Sequence, residues 1–191
     1  MQDSLISVMG KETMKNEEGK IFPETRTRET EFSSVYKRYA TPIYRYTFAR
    51  VGNQADAEDL TSLVFMDALK SWAHFKLNGN IPAWLFTIAR NKIVDRYRRE
   101  KETIPLEYIS NTVVEEKDLL KGVMDAETYT KLSQSLSSLP SEQQELLQLR
   151  FAGELTYGQI GKVVGKSEAA VKMAIHRLVD QLQVVMEQDN E

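Results

Sequence analysis

The sequence contains no cysteine and only two histidines, His74 and His176. Without thiols it forms no disulfide, no thiolate metal site and no cysteine nucleophile. Two imidazoles do not make a histidine-rich metal centre, so neither a metal nor another cofactor is expected. No apolar run approaches the roughly 18 residues of a membrane span. Met1-Gln2-Asp3 offers no basic region and the apolar patch from Leu5 to Met9 is short, so no secretory signal is expected there. β-branched alternation is sparse, which leaves little material for strands. A soluble protein of the reducing cytoplasm fits these absences.

What is present is a chain of 191 residues, 41% hydrophobic, with a net charge of −3. Hydrophobic content at that level supports a folded core and speaks against global disorder. Taken whole, the charge argues against nucleic acid, but its distribution does not. Residues 1–31 carry net −2, 32–81 carry +2, 82–101 carry +4, 102–139 carry −4 and 140–191 carry −3. Binding follows the local patch rather than the total, and a basic block here lies between acidic neighbours.

The pattern along the chain predicts an all-α protein of two small helical domains. Residues 1–29 are polar without a sustained period and read as a mobile extension. Residues 30–101 are dense in aromatic and aliphatic side chains at helical spacing. Residues 102–131 turn acidic and read as a flexible linker, with one candidate helix over Leu119, Leu120, Val123 and Met124. A second helical block follows over 132–186, then a tail, 187–191.

Local chemistry in the second block spells a helix-turn-helix. Pro140 suits a first turn, and Ser141 with Gln144 has capping-box spacing. A helix is predicted over Glu142–Phe151, ended by Gly153. Thr156 with Gln159 is a second capping box, followed by a short helix through Ile160, Val163 and Val164. Gly165 is placed for a left-handed C-terminal cap. Ser167 caps a third helix that turns Val171, Ile175, Leu178 and Val179 inward. Gly161 sits where the two helices would approach closely. Gly158 lies within a helix, at a cost of roughly 1 kcal/mol relative to alanine. The second helix of such a pair enters the major groove. Lys162, Lys166, Lys172 and Arg177, with His176, supply cations there against one acid, Glu168. Gly161 to Gly165-Lys166-Ser167 mimics a phosphate-binding loop, but only three residues separate the glycines where that loop has four.

In the first block, a helix from about Gln54 to His74 opens with Asp56, Glu58 and Asp59, which complement its dipole and form an acidic knob. Trp72 to Pro82 contains Asn78, Gly79 and Asn80 and reads as a loop. A helix over 82–100 then places Trp84, Thr87, Asn91, Asp95 and Arg98 within an arc of about 80°. Phe86, Ala89, Ile93 and Tyr97 form the opposite, core face. Cations beside amides and aromatic rings suit nucleic acid, because cations hold phosphates, amides read base edges and rings stack on unpaired bases.

Two sets of residues carry a family resemblance. Asp56-Ala57-Glu58-Asp59-Leu60, Phe65, and Trp84-Leu85-Phe86-Thr87-Ile88-Ala89-Arg90-Asn91 with basic residues to Arg99 resemble the second domain of bacterial sigma factors. Leu139-Pro140, Leu149-Arg150-Phe151, Leu155 to Ile160, Ser167-Glu168 to Lys172, and His176-Arg177-Leu178 resemble their fourth domain. Both occur in order with a short linker between, as in the extracytoplasmic-function (ECF) group.

The resemblance implies a dissociable, non-enzymatic subunit of RNA polymerase. It would bind the core at the clamp of the largest subunit and the flap of the next-largest, and it would recognise the minus-ten and minus-thirty-five elements of promoter DNA. An anti-sigma factor is an expected partner. By position, Asp56, Glu58 and Asp59 would serve core docking. Phe75, Lys76, Asn78, Thr87, Asn91, Arg98 and Arg99 would meet the minus-ten element. Ser167, Lys172, Met173, His176 and Arg177 would meet the minus-thirty-five element. Ser62-Leu63 departs from the Gln-Glu or Gln-Asp that the docking helix of the family often carries. That departure motivates an alternative, a stand-alone helix-turn-helix regulator without polymerase binding. A nuclease is a third reading, which would need its carboxylates gathered in a cleft.

Overall fold

The structure is a computed structural model that describes residues 23–75, 80–103 and 126–187. All regular structure among these residues is helical: α1 (Pro23–Val51), α2 (Gln54–Trp72), α3 (Ile81–Thr103), α4 (Ala126–Ser138), α5 (Ser141–Leu147), a π-turn over Gln148–Ala152, α6 (Tyr157–Val164) and α7 (Glu168–Glu187). The candidate helix over Leu119–Met124 and most of the expected linker lie outside the described residues. Two boundaries move. α1 starts at Pro23, inside the stretch read as an extension, and α4 starts at Ala126, inside the stretch read as a linker. Polar composition concealed both helix starts.

The chain divides into two units, one ending at Arg38 and the other starting at Tyr39. The described part of the first is the N-terminal stretch of α1, where Ser34 Oγ donates to the Thr30 carbonyl (3.0 Å). The second unit holds every described candidate site residue.

In that unit, the end of α1 packs with α2 and α3. Ile43, Val64, Leu85 and Phe86 are fully buried, each contributing about 1.5–3 kcal/mol by leaving water. Tyr46 stacks obliquely on Phe86, centroids 5.4 Å apart. Gly52 ends α1 in a left-handed conformation (φ 76°), and Asn53 caps α2 by accepting from the Asp56 amide (2.9 Å). Phe86, Ala89 and Ile93 face the core as their spacing predicts. Tyr97 does not: it is 38% exposed, and its hydroxyl donates to the Arg50 carbonyl. The period continues past the edge of the core, and an amphipathic ring can leave with its polar tip satisfied.

The C-terminal block forms around Leu149, Leu155, Ile160, Val171 and Ile175, all buried. The Thr156–Gln159 capping box is present: the Gln159 amide donates to Thr156 Oγ1 (3.3 Å) and the Thr156 amide to Gln159 Oε1 (2.8 Å). Gly165 takes φ 71°, ψ 31° with open space around it, so the left-handed backbone is what demands glycine there. Gly161 answers to space instead, since a Cβ would come within 2.5 Å of the Lys166 carbonyl oxygen. A Cβ on Gly158 would meet only the movable Glu168 carboxylate (2.9 Å), and nothing else in the structure explains that glycine.

The Ser141–Gln144 capping box does not form. Pro140 occupies the cap position without a side-chain bond, and Gln144 Nε2 turns back to the carbonyls of Ser137 (3.2 Å) and Leu139 (2.8 Å). The predicted helix to Phe151 also widens at Gln148 into the π-turn, whose end is fixed by Gly153 N–H donating to the Gln148 carbonyl (2.9 Å).

Candidate nucleic-acid interface

Three surfaces carry the candidate residues. The first is the outer face of α3. Asn91, Asp95, Arg98 and Arg99 are exposed and Thr87 is half-buried. Thr87 Oγ1 donates to the Ala83 carbonyl (2.7 Å), an i−4 bond. Arg99 Nε donates to the Asp95 carbonyl (3.2 Å), and Arg98 lies 4.0 Å from the Asp95 carboxylate. Exposed pairs of this kind are weak, so the Arg98 guanidinium can turn to an anion at little cost.

At the start of α3 stands an aromatic stack. Phe75 lies against Trp84 with centroids 4.4 Å apart, and Trp72 lies 5.7 Å from Phe75 and 6.1 Å from Trp84. Trp72 is buried, while Phe75 and Trp84 are half-buried. Asn80 holds the helix start by accepting from the Ala83 amide at its side chain (3.1 Å) and from the Trp84 amide at its carbonyl (3.0 Å). Lys76 and Asn78 lie outside the described residues.

The second surface is the start of α2. The three acids there do not share one fate. Asp56 is half-buried, receives the Asn53 side-chain amide, and pairs with Arg96 of α3 at 2.6 Å. Glu58 accepts from Gln54 Nε2 (2.9 Å). Asp59 is exposed. Leu63 (42% exposed) and Met66 (45%) continue that side of the helix as apolar surface. Asp67 sits further along, held between Lys92 and Lys70. The hydrogen bond from Lys92, helped by Lys70, keeps its carboxyl below the ordinary aspartate value against the opposing effect of burial.

The third surface lies on α7, the helix that follows the glycine turn. Ser167 accepts from the Ala170 amide (3.2 Å) and caps it. Lys172, Met173, His176 and Arg177 are exposed on one side, with Met173 at 56%. His176 Nε2 lies 3.3 Å from the Tyr157 hydroxyl, which ties α7 to α6. Val171, Ile175 and Leu178 turn inward as expected.

The structure also joins residues that the sequence pattern did not single out. Glu145 of α5 is buried (7% exposed), accepting from Arg90 Nε (3.0 Å) and from the Tyr46 hydroxyl (3.3 Å). Burial, reinforced by the Glu145 carboxylate, pushes the Tyr46 phenol well above its ordinary value. Gln148 Nε2 donates to the Ala49 carbonyl (2.9 Å), and Arg45 meets Glu154 at 2.8 Å. The one available signal was Glu145 itself, a carboxylate one helical turn before the fully buried Leu149. Among the described residues, no group of three or more histidine or carboxylate side chains could hold a metal ion. No helix among them is long and apolar enough to cross a membrane.

A helix-turn-helix behind a three-helix unit with a basic, aromatic-flanked third helix defines the class of sigma-type transcription factors. Residues 35–103 match the family model for sigma-70 region 2, and residues 129–182 match that for sigma-70, region 4. The chain belongs to the sigma-70 family. It is similar to the ECF RNA polymerase sigma factor BldN of Streptomyces coelicolor, 32% identical over 163 residues, or 83% of this chain and 61% of BldN. It is also similar to RNA polymerase sigma factor YlaC of Bacillus subtilis, 31% identical over 149 residues, or 75% of this chain and 84% of YlaC. The fold is shared with the sigma factor RpoE of Bartonella quintana, solved with the anti-sigma factor NepR (TM-score 0.61, 20% identity, 83% of this chain and 98% of that one). CnrH, solved with the cytosolic domain of CnrY, has a TM-score of 0.59 at 18% identity, covering 84% of this chain and 90% of that one. Matches to both helical blocks favour a sigma factor over the stand-alone regulator.

Proposed function

We propose that this protein binds core RNA polymerase in the cytoplasm and directs it to promoters, acting by placement rather than catalysis. The observation that carries the reading is the pairing in one chain of two separate nucleic-acid surfaces, the α3 face and the α7 face, within the two matched sigma-70 regions. Asn91, Arg98 and Arg99, with Phe75 and Thr87 at the near end, suit an unpaired strand, because aromatic rings can stack on bases only once these are unpaired. Lys76 and Asn78 belong to the same proposed contact. Ser167, Lys172, Met173, His176 and Arg177 suit the major groove of duplex DNA, with Met173 offering an apolar contact for a thymine methyl.

For core docking, Asp59 and the neighbouring Leu63 and Met66 form the exposed part of α2, with Glu58 beside them. Asp56 is committed to Arg96 and supports that surface from behind. The polymerase clamp and flap are the proposed contacts, and an anti-sigma factor is a further proposed partner, as in the complex of RpoE with NepR. Reconstitution with core polymerase tests the reading. Specific initiation on selected promoter fragments is the expected result. Failure both to bind core and to initiate would overturn it.

A further inference from the structure

On the exposed side of α7, Lys172 and Arg177 are cations that only donate hydrogen bonds, and Met173 has no donor at all. His176 differs from all three. A neutral imidazole has one N–H and one bare nitrogen, so what it can read depends on which nitrogen carries the hydrogen. On an open surface solvent makes that choice. Here Nε2 of His176 lies 3.3 Å from the Tyr157 hydroxyl, nineteen residues away at the first position of α6. The two rings meet edge to face, with centroids 6.0 Å apart and planes at 65°.

Tyr157 is in turn held from its other side. It is half-buried, and the Arg150 guanidinium sits over its ring, 4.9 Å from the centroid. Arg150 is itself anchored, since its Nη1 donates to the Leu155 carbonyl at 2.8 Å. The backbone beneath Tyr157 is fixed by the Thr156–Gln159 capping box. A cation over an aromatic ring draws electron density toward itself, which makes a phenol hydroxyl the stronger donor and the weaker acceptor. The Tyr157 hydroxyl therefore donates, His176 Nε2 accepts, and the hydrogen of the neutral imidazole is left on Nδ1. Among the described residues, Nδ1 makes no hydrogen bond.

We propose that Tyr157 is a positioning residue for base reading, which fixes His176 in its Nδ1–H form so that α7 offers the major groove a single neutral donor. In that groove guanine presents two acceptors side by side, N7 and O6, whereas cytosine presents only its N4 amino donor. The position read by His176 thus favours guanine and rejects cytosine, where two donors would meet. The DNA step rests on the sigma-factor reading, whereas the state of the imidazole does not.

A chain with two histidines allows a direct test of that state. The full-length protein is labelled with nitrogen-15 and held at pH 8, well above the ordinary imidazole value of about 6.5. A long-range proton–nitrogen correlation then separates bare from protonated ring nitrogens, and H74Q assigns the remaining signals to His176. The expected result is a bare Nε2 and a protonated Nδ1 in the parent. Y157F keeps the ring under Arg150 and removes only the hydroxyl, so His176 should shift toward the Nε2–H form that a free histidine favours. Identical His176 spectra in parent and Y157F, or a parent with its hydrogen on Nε2, overturn the proposal. In a second arm, holoenzyme reconstituted with core polymerase selects among promoter fragments randomised over the minus-thirty-five element. H176A identifies the position that His176 reads, by abolishing its preference. There the parent should favour guanine over cytosine, and Y157F should reduce that ratio about fivefold while leaving other positions unchanged. In the H176A background, Y157F should have no further effect. A loss spread evenly over the element, a loss that persists in H176A, or no position that depends on His176 overturns the base-reading role. A parent holoenzyme that selects no element at all would remove the sigma-factor reading and leave the imidazole to be decided by its spectrum.

Discussion

Phe75 stacks on Trp84 with ring centroids 4.4 Å apart. The ring proposed to meet an unpaired base is thus already part of the protein's own aromatic stack, and a base would extend that stack rather than found it. Phe75→Ala is expected to lose both contributions. Aromatic pairs are worth about 0.5–1.5 kcal/mol beyond area burial, so thermal unfolding should shift down modestly. Promoter opening, followed by permanganate reactivity of the unpaired strand, should fall more than duplex binding does. Equal loss of both activities would remove Phe75 from the single-strand contact.

Asn91 separates that role from stability. It is exposed on α3, and surface changes of this kind usually stay within about 0.5 kcal/mol. Asn91→Ala is expected to melt with the parent, to bind core polymerase unchanged, and to open promoters poorly. A melting shift of several degrees would mark Asn91 as structural.

Asp56 and Asp59 should part company although three residues apart. Asp56 accepts from Arg96 and takes part in the cap with Asn53, so Asp56→Asn should cost about 1 kcal/mol in unfolding titrations and affect core affinity mainly through stability. Asp59→Lys should leave stability nearly untouched and weaken core binding in a fluorescence titration. The reverse pattern would place the docking contact on Asp56.

Lys172 is exposed on α7. If it meets a phosphate, Lys172→Ala should weaken binding of the holoenzyme to every promoter tested and reduce the slope of log affinity against log salt by about 1. An unchanged slope assigns Lys172 to solvent.

Asp67 gives a pH signature. Its carboxyl is held below the ordinary value of 3.8 by the hydrogen bond from Lys92, so the folded protein favours the ionised form more than the unfolded chain does. The resulting stability is complete above the unfolded value and is lost as pH falls through the lower folded value. Asp67→Asn should therefore melt below the parent at neutral pH and converge with it in strong acid. A constant difference across the whole range would show that the pairing with Lys92 and Lys70 does not set the acid limb.

The helix-turn-helix was legible because its signals are local. A capping box spans three residues, and a glycine obliged to be left-handed acts at its own position; Thr156, Gln159 and Gly165 all behave as the sequence implied. The face of α3 was legible for the same reason, up to Tyr97, where the core ends before the period does. What stayed hidden depends on distant partners. Glu145 finds Arg90 and Tyr46 at separations of 55 and 99 residues. Spacing puts Glu145 on the Leu149 face of its helix, but nothing local names the partners that bury it. Asp56 illustrates the same limit, since first-turn acids look alike until one of them meets an arginine forty positions away.

The helix ends at Thr103 and Ala126 have a metric consequence. The chain between them, residues 104–125, can span at most about 75 Å when fully extended. Duplex DNA rises about 3.4 Å per base pair, so that tether corresponds to about 22 base pairs. The chain thus carries its own ruler. Whatever lengths of DNA separate the sites read by its two ends, residues 104–125 contribute at most that much to the span a single molecule can bridge, and shortening them should lower the longest tolerated spacing.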